Sequence, residues 1–175
     1  MTYAGIGELL DYHEGMVSAL RAQRNDHAGA TTSAGPFFGL SHAEFDAALE
    51  ALRTKLNDQV VLAMVASAEA AIRPDFESRL RSRTKDSVRR DLSDLRKAPG
   101  MRVRLTDILD VWRSHSGKAL PFTEFNLLLK RRHWLAHGRY WTYKGGRTFD
   151  PPEAFAAVED LFDACRKVAP DFPRP

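Results

Sequence analysis

The chain has 175 residues, 43% of them hydrophobic, with a formal net charge of +3. That length suits one domain that buries a core without staples, and the single cysteine, Cys165, excludes an intrachain disulfide framework and fits a reducing cytoplasm. Nothing near Met1 reads as a secretion signal, and no apolar run approaches the ~20 residues of a membrane span, so the expectation is a soluble cytoplasmic protein with no membrane partner.

The first predicted helix runs from about Tyr3 to Ala22, with Ile6, Leu9, Leu10, Met16, Val17 and Leu20 at helical spacing. A long loop rich in Gly, Ala, Ser and Thr follows, from Asn25 to Gly39, with Phe37 and Phe38 as its expected anchors on the core. Ser41 and Glu44 form an S-x-x-E capping box, which satisfies two orphan backbone N–H groups and starts a helix. Phe45, Leu49, Leu52, Leu56, Val60, Met64 and Ala68 make one stripe of that helix, and Pro74 is expected to end or kink it. A short helix from Asp75 to Arg83 is predicted after the proline. Another covers Ser87 to Lys97, with Val88, Leu92 and Leu95 inward.

Leu105, Ile108, Leu109 and Trp112 mark the next helix, ending near Ser114 to Gly117. Thr123 reads as the N-cap of a helix carrying Leu127 to His137, with Gly138 as its C-terminal glycine. The stretch Arg139 to Asp150 reads as a loop or short hairpin, in which Tyr140, Trp141 and Tyr143 are either core aromatics or stacking surfaces for unpaired bases. Asp150, Pro151 and Glu153 give the last helix start, and Phe155, Val158, Leu161, Phe162, Cys165 and Val168 its buried face. No repeat, no phosphate loop and little strand signal are present. The fold class is therefore all-α: a single helical bundle, residues 1–175, around a long central helix.

Charge is unevenly spread. From Arg73 to Arg104 there are eleven Lys/Arg against five Asp/Glu, and from Lys130 to Arg147 six Lys/Arg and no acid. Each stretch carries +6, so the remainder carries −9. Such asymmetry suits a polyanionic partner. A solvated helix face is the alternative, and the acids interleaved at helical spacing in the first cluster explain part of it. The second cluster has no local acid.

The second cluster contains KRRHWLAHGRYW, Lys130 to Trp141, for which three readings stand side by side. His133 and His137 have the spacing of a zinc pair, but Trp134 stands where H-E-x-x-H has its glutamate, no third donor is near in sequence, and the arginines would repel a cation. The pair also suits a plain helix C-terminus, where cations are stabilised by the dipole. The third reading is metal-free phosphodiester cleavage. Histidine, with an ordinary pKa of about 6.5, moves protons near neutrality, and the forked arginine guanidinium matches phosphate oxygens. Serine or cysteine catalysis has no sequence support.

The run Arg132-His133-Trp134-Leu135-Ala136-His137-Gly138 resembles the R-x4–6-H motif of HEPN domains, all-helical RNA-cleaving or RNA-binding domains in which a polar residue follows the arginine. The resemblance implies a metal-independent endoribonuclease that needs no cofactor, set in a toxin or defence system with an antitoxin or regulatory protein as a further partner. His137 would be the acid–base residue, Arg132 would bind the scissile phosphate, and His133 would orient the site. Lys130, Arg131 and Arg139 would contact the RNA. Glu69 would be the acidic support such domains often carry on a neighbouring helix; without the resemblance it reads as a solvent-facing glutamate. Arg132 and His137 lie about 140° apart on one ideal helix, and the resemblance answers this with a homodimer in which two motifs meet. The tyrosine that one toxin branch carries two residues after the histidine is replaced here by Arg139. The basic segment Arg79 to Lys97 would be an insertion widening RNA contact. The competing reading is a non-catalytic HEPN-like helical module that binds RNA, a nucleotide or a protein.

Overall fold

The computed structural model describes residues 5–29, 37–83, 86–97, 103–137 and 147–174, the side chains of 27–29 excepted. They form six helices: α1 (Ile6–Gly29), α2 (His42–Arg81), α3 (Ser87–Lys97), α4 (Leu105–Ser116), α5 (Leu120–His137) and α6 (Pro151–Val168). No strand occurs among the described residues, so the fold is all-α, and no helix is long and apolar enough to cross a membrane. At 40 residues, α2 is about 60 Å long. It touches each of the other five helices, and α6 packs alongside it against α1, α4 and α5.

The start of α2 is set by its cap. The Ser41 N–H donates to Glu44 Oε2 (2.8 Å), and the Glu44 N–H donates back to Ser41 Oγ (3.4 Å). The Ser41 hydroxyl, which also donates to Glu44 Oε2 (2.7 Å), and then the Ser41 N–H hold the Glu44 carboxyl below the usual carboxylate range. The same box recurs at α6, where Asp150 accepts from the Glu153 N–H (2.9 Å) and Pro151 takes a first-turn position that needs no donor. Helix α4 closes on Gly117 at φ 65°, a left-handed conformation that glycine adopts without steric cost.

Several boundaries differ from the sequence reading. Helix α1 runs seven residues past Ala22, and Arg24 in that extension bridges to Asp46 of α2 (2.9 Å). Pro74 does not end α2, which continues through it to Arg81. A helix-interior proline costs about 3 kcal/mol. Burial of Ile72 and Phe76 on either side of it, with Pro74 itself exposed, offsets that cost. Helix α5 starts at Leu120, three residues before the predicted cap. Thr123 sits inside it, with its hydroxyl bonded to the Ala119 carbonyl (3.0 Å). Phe37 meets Phe45 edge-on at 5.2 Å, whereas Phe38 is 66% exposed and anchors nothing in the core. Met16 and Leu52, expected inward, are exposed. The predicted Gly138 cap, the 139–146 segment and residues 30–36 lie outside the described residues.

Arg79 is the most consequential departure. It is buried, bonded to Asp75 (2.9 Å) and Asp171 (3.1 Å), and its guanidinium lies 4.9 Å above the Trp112 ring. Trp112 in turn meets Phe172 edge-on at 4.7 Å. One cation thus ties the end of α2 to α4 and to the segment after α6, and it is buried there, not presented to solvent. Burial lifts the Asp75 carboxyl above its ordinary range, with Arg79 opposing that rise. Val88 and Leu92 of α3 belong to the same core.

Two outcomes follow from the packing. Pro74→Ala restores a helix hydrogen bond at an exposed position and should raise stability by about 1–3 kcal/mol in urea denaturation. Cys165 is buried, and burial, with the Asp75 carboxylate adding to it, pushes its thiol from 9.0 up to about 12. Ellman's reagent at pH 8 should leave the folded protein untouched and titrate one thiol per chain in denaturant. The sign for stability follows. The folded state holds the proton longer than the unfolded chain, so this contribution is full below about pH 9 and is lost as pH rises through about 12.

Candidate active site

Helix α5 buries Phe122, Phe125, Leu128 and Leu135, and its last two turns expose Lys130, His133, Ala136 and His137. His133 and His137, one turn apart, are both exposed, with ring centroids 5.2 Å apart and planes tilted by 58°. The two imidazoles therefore form one surface pair at the C-terminal end of the helix. Lys130, one turn before His133, is exposed as well.

The adjacent arginines diverge. Arg131 Nη2 donates to Asp58 Oδ1 of α2 (2.8 Å), with the arginine side chain 12% exposed, and the guanidinium stacks 4.6 Å over the Trp134 ring. Arg132 Nη2 lies 3.6 Å from Glu69 Oε2, also on α2, and keeps 35% of its side-chain surface. Asp58 and Glu69 are eleven residues apart, roughly 16 Å along the helix axis. Val61 and Val65, both buried, lie between them. Neighbouring arginines of α5 thus reach opposite ends of one stretch of α2. Glu69 is not the plain solvent-facing residue of the sequence reading, since its side chain is only 20% exposed and faces Arg132. Asp58 had no sequence signal at all.

The acid-free stretch of sequence is not acid-free in space. Arg131 and Arg132 meet carboxylates of α2. Arg147 bonds to Glu124 of α5 (2.8 Å) and to Glu153 of α6 (3.0 Å), while also lying over Phe149. Arg139 lies outside the described residues. For the zinc reading, no group of three His, Cys, Asp or Glu side chains suited to a metal exists among the described residues, so the histidine pair lacks a third donor there.

A second constellation escaped the sequence reading. His115 of α4 sits between Asp91 (Nε2 to Oδ2, 2.8 Å) and Ser87 (Nδ1 to Oγ, 3.4 Å), both of α3. The residue types are those of an acyl-transfer triad. The surroundings are not: the start of α3, which would have to supply oxyanion donors, instead has the Asp86 carboxylate bonded to the Arg89 N–H (2.7 Å). A negative group there opposes a developing oxyanion, and the trio acts as a polar staple between α3 and α4. Ser87 and Asp91 are one turn apart, but nothing in sequence marks His115 as their partner.

Comparison with protein-family models, with curated proteins and with solved structures finds no match to this chain. The division of labour between the two arginines is directly testable. Arg131→Ala leaves a part-buried carboxylate short of its cation and uncovers Trp134, so chemical denaturation should show a loss of about 1–3 kcal/mol. Lys130→Ala, at an exposed position, should stay within about 0.5 kcal/mol of the parent.

Proposed function

We propose that this protein is a metal-independent endoribonuclease of the HEPN type, with the end of α5 as its catalytic surface. The observation that carries the reading is the pair His133 and His137: two exposed imidazoles side by side, directly after an arginine whose side chain keeps a third of its surface. A buried histidine pair would have favoured a structural role.

The chemistry needs a proton removed from a ribose 2′-OH as its oxygen attacks the adjacent phosphorus. The P–O5′ bond then breaks, the 5′-oxygen takes a proton, and a 2′,3′-cyclic phosphate remains. His137 serves as the acid–base residue, and His133 orients the phosphodiester or exchanges the second proton. Arg132 binds the phosphate through its fork and stabilises the charge on the phosphorane. Glu69 fixes that guanidinium from α2. Arg132 leans towards α2 while the histidines face outward, so one chain presents the two functions on different faces. A homodimer that brings a second α5 alongside completes one composite cleft. The biological setting in this reading is a toxin or defence effector in the cytoplasm, controlled by a protein partner.

A second reading has its own observation. Arg131 and Arg132 both face carboxylates of α2, as they would in a non-catalytic module whose helix end is built for packing and for binding RNA, a nucleotide or a protein.

The test is cleavage of a mixed RNA substrate in excess EDTA. Wild type should cut and leave cyclic phosphate ends. His137→Ala should lose about 10²–10⁴-fold in rate and Arg132→Ala about 10²–10³-fold, each with an unchanged circular dichroism spectrum. A folded, dimeric wild type that cuts none of the RNA moves the assignment to the binding module. Cleavage that survives both substitutions removes α5 from the chemistry.

A further inference from the structure

The basic cluster from Arg73 to Arg104 is only partly absorbed by the ion pairing expected of it. Each of its five acids has a partner. Asp75 holds Arg79, Glu77 holds Arg96 (3.2 Å), Asp94 holds Lys97 (3.4 Å), Asp91 holds His115, and Asp86 caps α3. Arg73 and Arg81 have no carboxylate partner among the described residues, and both are exposed.

These two arginines line one groove for a structural reason. They lie eight residues apart on α2, about 12 Å along its axis and about 80° apart around it, on the broad face that lines the groove. That face continues across Pro74 only because α2 does not stop there. Opposite it stand Arg96 of α3 and the start of α4, and the space between is a groove of about 650 Å³. Its floor is apolar, formed by Phe76, Val103 and Ile108, and its rim holds three arginines against the single carboxylate of Glu77. Glu77 is already bonded to Arg96. One end of the groove lies a helical turn from the candidate site along α2. Arg73 is one helical turn beyond Glu69, about 6 Å along α2, and Glu69 is the residue that faces Arg132.

We infer that the α2–α3–α4 groove binds the phosphate backbone of single-stranded RNA, with Arg73 and Arg81 as its phosphate contacts, and carries the strand away from the end of α5. The inference rests on the ribonuclease reading for the identity of the polyanion. Charge complementarity selects the occupant: an acidic partner must supply at least the two negative charges the groove lacks, spaced along a line, and a nucleic-acid backbone does so at every step. With Arg73 and Arg81 committed to phosphates and Arg96 held by Glu77, no group on the rim remains open to read a base edge, so the arrangement is not base-specific. The contact is therefore one of affinity and direction.

The probe is a fluorescein-labelled single-stranded oligonucleotide carrying 2′-O-methyl groups throughout. It lacks the attacking hydroxyl, so binding is read without cleavage. Anisotropy titrations across a salt series should show that Arg73→Ala/Arg81→Ala weakens binding tenfold or more at 0.1 M salt. The same variant should reduce the slope of log affinity against log salt by about 1.4, the counterion release of two single-strand phosphate contacts. Arg21→Ala/Arg53→Ala, which removes the same charge from the α1–α2 surface, should change affinity less than twofold. An unchanged slope in the groove variant overturns the inference, even if wild type cuts ordinary RNA. The same holds if the probe does not bind and an acidic peptide does. A lowered slope with no cleavage of ordinary RNA upholds the groove and removes the ribonuclease.

Discussion

A helix of 40 residues cannot stand in water with its apolar stripe bare, and burial of that stripe organises everything else in the molecule. Phe45, Leu56, Val60, Met64, Val65, Ala68, Ile72 and Phe76 of α2 are all buried, and every other helix contacts α2. Each fully buried large apolar side chain contributes about 1.5–3 kcal/mol. That scale explains why α2 runs through Pro74: the ~3 kcal/mol cost of an interior proline is smaller than the loss of Ile72 or Phe76 contacts that a break would bring. Continuity of α2 then sets the line from Glu69 to Arg73 to Arg81, which is why the candidate site and the groove share one helix.

The same helix reorganises the electrostatics. In sequence, Lys130 to Arg147 is a run of cations with no acid in reach. In space, α2 brings Asp58 and Glu69 to it, and α5 and α6 bring Glu124 and Glu153. The −9 carried by the remainder of the chain is therefore not a separate acidic region. Part of it is the counter-charge of the basic one. The other cluster differs: its acids are consumed by a cap, by short-range pairs and by Arg96 and His115 on neighbouring helices, and Arg73 and Arg81 are left lining a groove.

What could be read from the sequence follows the range of the interaction. Both capping boxes are local, a Ser or Asp three residues before a Glu, and the structure forms them where expected. The apolar stripes of α2, α4 and α6 are local periodicities and fall on buried faces, Trp112 and Cys165 included and Leu52 excepted. His133 and His137 are also local, since a spacing of four on a helix places two rings together whatever the fold. The contacts that escape the sequence lie between distant residues. Arg79 reads as a surface cation because Asp171 is 92 positions away. Asp58 gives no sequence signal, and Glu69 stays open between acidic support and solvent-facing residue, because their partners arrive on another helix. Arg24 lies in the part of α1 beyond its apolar pattern, where Asp46 of α2 meets it. No window of sequence contains these pairs.

The two arginines of α5 show how the fold separates structure from availability. Arg131 is bonded at 2.8 Å, nearly covered and stacked on an indole, so a phosphate would have to take it from a carboxylate and an aromatic ring at once. Breaking such a pair leaves a poorly solvated carboxylate, at a cost of several kcal/mol when burial is complete. Arg132 faces Glu69 at 3.6 Å, beyond a good hydrogen bond, with its outer surface still in water. A pair of that kind contributes about 0–1 kcal/mol. A phosphodiester oxygen in bidentate contact exceeds that, and it need not displace Glu69, because the guanidinium has five donors and the carboxylate engages one edge. Of the four cations and histidines that precede Trp134, the geometry thus leaves Arg132 as the arginine able to accept an anion while still held in place, and assigns Arg131 to joining α5 to α2.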